Sequence, residues 1–259
     1  DESTGTVYHD YDTDGWKWID VPGQELPILE RTSGYGTYFG LTAMEKSADG
    51  NWHQIARRMY ELDTLPGYNG DDSGNFGDNG HNDDSEEKSS YRLIYDYQDT
   101  TGNGAMLPNS QMTATIYLED KTKDYQRVDD YKLEILEQSK LADISVSADG
   151  KKLVIKSGNK TGQGCCYISV QIPDGKGGYR EAFRKDMWFS VSEYVILPEK
   201  ITDTSGNEIN LEVGQQLDIA KDMKPQLVRY KDGKGDPIPV TGDNYKIVIS
   251  SWTDESTGT

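Results

Sequence analysis

The sequence predicts an all-β protein made of two antiparallel sandwich domains, one of them split across the chain termini. Three observations lead there. Short segments alternate apolar and polar residues between Gly, Asn and Asp turns, while helical periodicity is scarce. The hexapeptide Asp1-Glu2-Ser3-Thr4-Gly5-Thr6 returns unchanged as Asp254-Glu255-Ser256-Thr257-Gly258-Thr259. The two halves of the chain also align with each other when its end is joined to its beginning.

The terminal duplication comes first, because a missed repeat miscalls a fold. Its copies begin at Asp1 and Asp254, 253 residues apart. We read the chain as one period, plus a short overlap, of a longer tandem array. Joining the end to the start should then complete a domain.

Composition narrows the function. The 259 residues suffice for two domains of common size. With 27 Lys and Arg against 45 Asp and Glu, the formal net charge is −18. That excludes a nucleic-acid binder relying on phosphate neutralisation, and argues against an anionic membrane surface. It favours solubility, cation binding and repulsion between neighbouring chains. No apolar run approaches the ~20 residues of a membrane helix, so no membrane insertion is expected. Tyr outnumbers Phe, 17 to 4, which suits small, half-wet cores. Cys165 and Cys166 are adjacent; on a strand they point to opposite faces, so one buried and one more superficial thiol is expected.

The strands follow in order. Ala114 to Leu118, Tyr131 to Leu136, Lys152 to Ile155 and Cys166 to Ile172 all alternate. The stretch Trp52 to Leu62 tempts a helix assignment, but internal comparison makes it a strand. At a shift of 128, Ser33-Gly34-Tyr35-Gly36 meets Thr161-Gly162-Gln163-Gly164, and Arg57-Arg58-Met59-Tyr60 meets Lys185-Asp186-Met187-Trp188. At a shift of 112, Asp120, Asp124 and Val128 meet Asp232, Asp236 and Val240. After a two-residue insertion, Tyr131-Lys132-Leu133 meets Tyr245-Lys246-Ile247.

These matches set the domain boundaries. Residues 90–196 form one complete domain. Residues 197–259 form the N-terminal part of the other, and residues 1–64 its C-terminal part. The acidic, Gly- and Asn-rich stretch 65–89 reads as a linker.

Each copy has the size of an immunoglobulin-like sandwich. Leu211-Glu212-Val213-Gly214-Gln215 resembles the opening of bacterial Ig-like (Big-type) domains, and Gly162-Gln163-Gly164 with the alternating run after it is similar to their closing strand. Ser250-Ser251-Trp252 hints at the family's central Trp-Ser-Ser motif. The resemblance implies two immunoglobulin-like β-sandwich domains and an extracellular, cell-surface setting, because such domains serve as spacers in surface proteins and adhesins.

The best candidate for chemistry is Asp10-Tyr11-Asp12-Thr13-Asp14-Gly15. Carboxylates at alternate positions, closed by Gly, are how a short loop wraps oxygens around calcium. Asp10, Asp12, Asp14 and Asp20 are the expected ligands. The pattern departs from an EF-hand loop, because Val21 stands where the bidentate Glu would be. Tyr11, Trp16 and Trp18 are the candidate ligand-binding aromatics of this insertion, facing a surface glycan or protein. The competing reading is a solvated acidic hairpin whose Trp residues pack on the sandwich.

Enzyme signatures are absent: His9, His53 and His81 are scattered, with neither a zinc-binding helix motif nor a nucleophile elbow. The expectation is a non-enzymatic repeat unit of a stalk, fibre or filament, partnered by copies of itself. The alternative is a calcium-stabilised adhesin acting through Tyr8 to Trp18.

Overall fold

A computed structural model describes residues 16–32, 38–61, 89–98, 100–101, 104–202, 209 and 211–250. The chain begins with β1 (Trp16–Ile19), β2 (Ile28–Arg31), β3 (Tyr38–Lys46) and β4 (Trp52–Glu61). There follow β5 (Tyr91–Gln98), β6 (Ala105–Met106), β7 (Gln111–Asp120), β8 (Gln126–Val128), β9 (Lys132–Gln138), β10 (Ala142–Val146), β11 (Lys152–Ser157), β12 (Gly162–Pro173) and β13 (Tyr179–Val191). Last come β14 (Tyr194–Leu197), β15 (Gln216–Asp218), β16 (Gln226–Arg229), β17 (Ile238–Pro239) and β18 (Tyr245–Ser250). The protein is all-β, as its alternation predicts, and Trp52 to Glu61 is a strand.

The described residues fall into two compact units. Residues 89–193 form one, and residues 16–61 with 194–250 form the other. In the continuous unit one sheet runs β10-β11-β7-β5 with β8 also on β7, and a second runs β6-β13-β12-β9. β6 pairs with β13 in parallel; the other pairings are antiparallel. Period-2 alternation turns Met112, Ala114, Ile116 and Leu118 of β7 inward, where they meet Cys166, Ile168 and Val170 of β12 and Phe183, Met187 and Phe189 of β13. Each of the larger side chains among them, Ile, Leu, Val, Met or Phe, contributes about 1.5–3 kcal/mol relative to exposure, the term that offsets backbone ordering.

The second unit repeats this order with its strands drawn from both ends of the chain. β2 pairs with β1 and β15, β16 with β14 and β17, and β3 with β18 and β4. Thus β18-β3-β4 corresponds to β9-β12-β13. The two remaining groups of three correspond to the two ends of the β7 sheet. One core gathers Leu29, Phe39, Leu41 and Tyr60 with Ile196, Leu217, Ile219, Leu227 and Ile249.

The correspondence differs from the sequence alignment in register. Ile168 pairs with Ile135 and Leu41 with Ile249, while Val170 pairs with Phe183 and Ala43 with Ala56. Leu41 is therefore the counterpart of Ile168, at a shift of 127 rather than the expected 128. A bulge confirms this placement: it falls after Val170 in β12 and after Ala43 in β3, leaving Ala182 and Ile55 outside the pairing. Tyr60 then matches Met187, both buried, instead of Trp188.

The expected matches of Asp120 with Asp232 and Val128 with Val240 also slip. The short 3-10 turn Lys121–Lys123 has its counterpart in Lys231–Gly233, and Leu118 opposite Val128 has its counterpart in Val228 opposite Pro239. An insertion lies upstream of these matches. Where β7 runs unbroken, β15 and β16 are separated by the five-residue π-helix Ile219–Met223, which buries Ile219 and Met223. Asp218 caps it, accepting from the Lys221 amide and from Gln24 Nε2 at 2.9 Å.

One tetrapeptide recurs outside this equivalence. Ser47-Ala48-Asp49-Gly50 joins β3 to β4, and Ser147-Ala148-Asp149-Gly150 joins β10 to β11. In both turns the Ser hydroxyl donates to the Asp carboxylate, which also accepts the amide of the residue after the Gly. Gly50 and Gly150 adopt φ +88° and +73°, which a side chain would oppose.

Close packing yields a test. A Cβ on Gly164 would lie 2.4 Å from the Phe189 ring. Gly164→Ala should cost about 1–3 kcal/mol in urea unfolding, as overpacking does. Adding Phe189→Leu should recover part of that loss, so the two changes should not be additive.

Candidate functional site

The aspartate loop lies mostly outside the described residues: so do Asp10, Tyr11, Asp12 and Asp14. Asp20 directly follows β1 and is exposed. Trp16 opens β1 opposite Arg31, and Trp18 pairs with Leu29. The half-buried Trp18 ring meets Phe39 edge-on, with centroids 6.2 Å apart and planes at 72°. Trp18 thus contributes to the sandwich core. Among the described residues no three His, Cys, Asp or Glu side chains converge as metal ligands.

The described residues place polar chemistry in four places. The first is the seam of the discontinuous unit. Arg58 Nε donates to the Ile196 carbonyl at 2.7 Å, and Tyr60 OH donates to the Pro198 carbonyl at 2.9 Å. The Tyr60 ring stacks on Phe39, with centroids 5.3 Å apart. Burial lowers the Arg58 pKa and raises that of Tyr60. Arg58 thus ties β4 to β14 itself, and Tyr60 ties it to the residue that follows β14.

The second lies on the outer face of the β5–β7–β8 sheet. Glu119, 7% exposed, accepts from Arg92 Nε at 2.9 Å and Nη2 at 2.8 Å, with Arg127 Nε at 3.6 Å. Arg92 lies 4.1 Å from the Tyr125 ring centroid and Arg127 3.8 Å from that of Tyr117. One buried carboxylate therefore orders two guanidinium groups, each over an aromatic face.

The third is the thiol pair. Cys166 is buried and Cys165 half-buried, the expected division. Burial pushes each thiol up to about 12, with Asp186 adding to the effect at Cys165. Thiols so protonated at neutral pH are poor nucleophiles and metal ligands.

The fourth is an open cleft of about 640 Å³ at one end of the continuous unit. Its walls are the β9–β10 and β11–β12 turns with the adjoining ends of β10 and β11, carrying Lys140, Lys156 and Lys160 beside a single carboxylate, Asp143, which stands opposite Lys156. The walls are held by local bonds. Ser139 N donates to Cys165 O at 2.9 Å, Ile144 N to Gln138 Oε1 at 2.9 Å, and Asn109 N to Gly158 O at 2.8 Å. The three lysines are exposed, and among the described residues none of them forms an ion pair. Three cations thus line one cleft in a chain of net charge −18. Sequence reading missed them, because Lys140 and Lys160 stand in two turns that the sheets bring together.

No protein-family model matches the chain, and no curated protein matches it. What the sites can do therefore rests on their own chemistry. The seam and the Arg92–Glu119–Arg127 group serve packing and surface order. The lysine cleft gathers cationic side chains that form no ion pair among the described residues.

The raised pKa values predict alkaline sensitivity. Burial also pushes the Tyr131 phenol up to about 12. In the unfolded chain a thiol ionises near 8.5 and a phenol near 10. Because folding raises these pKa values, their contribution is complete below the unfolded values and disappears as pH rises towards 12. Urea midpoints should fall steadily across that window, and the fall should be shallower in Cys165→Ser.

Proposed function

We propose that the chain is a structural repeat unit of an extracellular stalk, fibre or filament on a prokaryotic surface, built of immunoglobulin-like sandwiches. The observation that carries this reading is the pairing of β15 with β2 and of β18 with β3. These pairings put residues 194–250 ahead of residues 16–61 in the same strand order that the continuous unit follows. In a tandem array the end of one period would complete its sandwich with the start of the next.

The strand orders support the immunoglobulin-like reading. In the continuous unit β5, β7, β11 and β10 take the places of strands A, B, E and D; β9, β12 and β13 take those of C, F and G. The Big-type resemblance fits the same picture. Leu211 and Leu217 are buried, Gly214 turns at φ +86°, and its amide donates to Arg31 O at 2.7 Å as the chain enters β15. In such a protein the function lies in length and stiffness, with contacts between neighbouring domains carrying stability.

A chain of two joined periods tests this. It should scatter X-rays as a rod whose maximum dimension grows by one period's length over the single chain, with the melting temperature preserved. A compact particle of unchanged maximum dimension would refute the repeat reading.

One observation favours a second role for the same chain. β9 and β10 are joined by residues 139–141, whereas residues 251–259 and 1–15 lie between their counterparts β18 and β1. That insertion carries Asp10, Asp12, Asp14 and Tyr11, which with Asp20 just after β1 make up the proposed calcium site and ligand-facing aromatic. Calcium held there should raise the melting temperature, and chelator should reverse the rise. Asp12→Asn with Asp14→Asn should abolish the calcium response without lowering the chelated value.

A further inference from the structure

The turn that joins β11 to β12 carries a motif that neither the sandwich core nor the strand pairing uses. Asn159-Lys160-Thr161 has asparagine, a residue other than proline, and then threonine, the pattern that accepts an N-linked glycan. No other asparagine of the chain has Ser or Thr two places on, so the sequence offers a single acceptor. A pattern this short recurs by chance, and its meaning depends on where the fold puts it.

The fold puts it where an enzyme can grip it. Residues 158–163 are exposed without a break, and residues 158–161 belong to no strand. The chain just before them is anchored. Ser157 N donates to Ser110 O at 3.0 Å, Ser157 Oγ to Leu107 O at 2.8 Å, and Asn109 N to Gly158 O at 2.8 Å. Past that anchor, the Asn159 and Thr161 side chains form no hydrogen bond among the described residues, so neither has to leave a partner. A Cβ added at Gly158 or at Gly162 would meet nothing within 4 Å, so the space on both sides of the tripeptide is open. Asn159 also lines the open cleft of about 640 Å³, which leaves room for a sugar beside the turn. Motif and accessibility are independent observations, and they coincide at one residue of a surface turn.

We propose that Asn159 is the attachment site of an N-linked glycan, one for each period of the array. The inference rests on the extracellular reading, because such glycans are transferred on the outer side of the cytoplasmic membrane. In the transfer, Asn159 Nδ2 forms a bond to the anomeric carbon of an oligosaccharide carried on a polyprenyl pyrophosphate. The bond from that carbon to the pyrophosphate oxygen breaks, and polyprenyl pyrophosphate leaves. The proton lost from Nδ2 passes to a carboxylate of the transferase, and nothing is oxidised or reduced. Thr161 serves recognition by the transferase and forms no covalent bond. The glycan is bulky and solubilising, and it covers a turn whose exposed Lys160 invites proteolysis.

Peptide mass spectrometry of the chain recovered from the cells that make it tests this. The peptide containing Asn159 should carry the added mass of one glycan. Asn159→Gln and Thr161→Ala should each lose that mass entirely, while Thr161→Ser should keep it. Asn244→Gln is the control and should change nothing, because Lys246 stands two places beyond Asn244. With a purified transferase and a lipid-linked oligosaccharide, the folded chain and a free peptide of residues 155–164 should both be modified.

A chain found at the cell surface with Asn159 bare overturns the proposal and leaves the repeat reading standing. So does a glycan that survives Asn159→Gln or Thr161→Ala, or a transferase that modifies the peptide and never the folded chain. A chain found only in the cytoplasm overturns the extracellular reading itself, and the glycan with it.

Discussion

The discontinuous unit depends on backbone pairing between segments that lie far apart in the chain. β3 bonds to β18 from Gly40–Ser250 to Glu45–Tyr245, and β2 bonds to β15. Without those ladders, β1 to β4 would be two hairpins exposing Leu29, Phe39, Leu41 and Tyr60, and small hairpins in water are marginal. Pairing distant segments costs chain entropy, yet that cost rises only slowly with loop length. The common core repays it: residues from both segments bury one another, and Arg58 and Tyr60 fasten β4 to the carbonyls of Ile196 and Pro198.

The two units show how much one strand order tolerates. β7 crosses its sheet without a break, while its counterpart is cut by the π-helix Ile219–Met223, whose two apolar residues turn inward and preserve the core. The bulge after Val170 and after Ala43 is retained, with its extra residue, Ala182 or Ile55, on the partner strand β13 or β4. The Ser-Ala-Asp-Gly turn behaves differently. It serves two non-equivalent hairpins, since Asp49 and Asp149 close their turns with bonds inside the turn itself. Those bonds hold both carboxylates below their usual range, the Ser hydroxyl first among the causes.

Charge is distributed as unevenly as structure. A net −18 keeps copies apart in general, while the cleft walls and the Arg92–Arg127 pair concentrate cations on the continuous unit. Glu119 neutralises part of the arginine pair and fixes its geometry. The cleft lysines form no ion pair among the described residues, although Asp143 stands opposite Lys156 across β10 and β11.

Much of this was legible in the chain. Alternation marked β7, β9, β11 and β12 because period-2 burial leaves a direct trace in residue order. Internal similarity made Trp52 to Glu61 a strand against its helix-like look. Adjacent Cys165 and Cys166 were assigned opposite faces by pleat geometry alone. Register was not legible to the residue: a shift of 128 and a shift of 127 match similar residue types, and only hydrogen-bonded pairing separates them. The π-helix was hidden because five extra residues in a strand look like ordinary polar and apolar sequence. Asp10, Asp12 and Asp14 stood out because their spacing is local. Lys140, Lys156 and Lys160 did not, since a site built from two turns exists only once two sheets bring those turns together. The sequence by itself determined strand content, alternation and local turns, which depend on neighbours in the chain. Tertiary structure decided register, the closure of residues 16–61 with 194–250, and the lysine cleft, which all depend on contacts between residues distant in sequence.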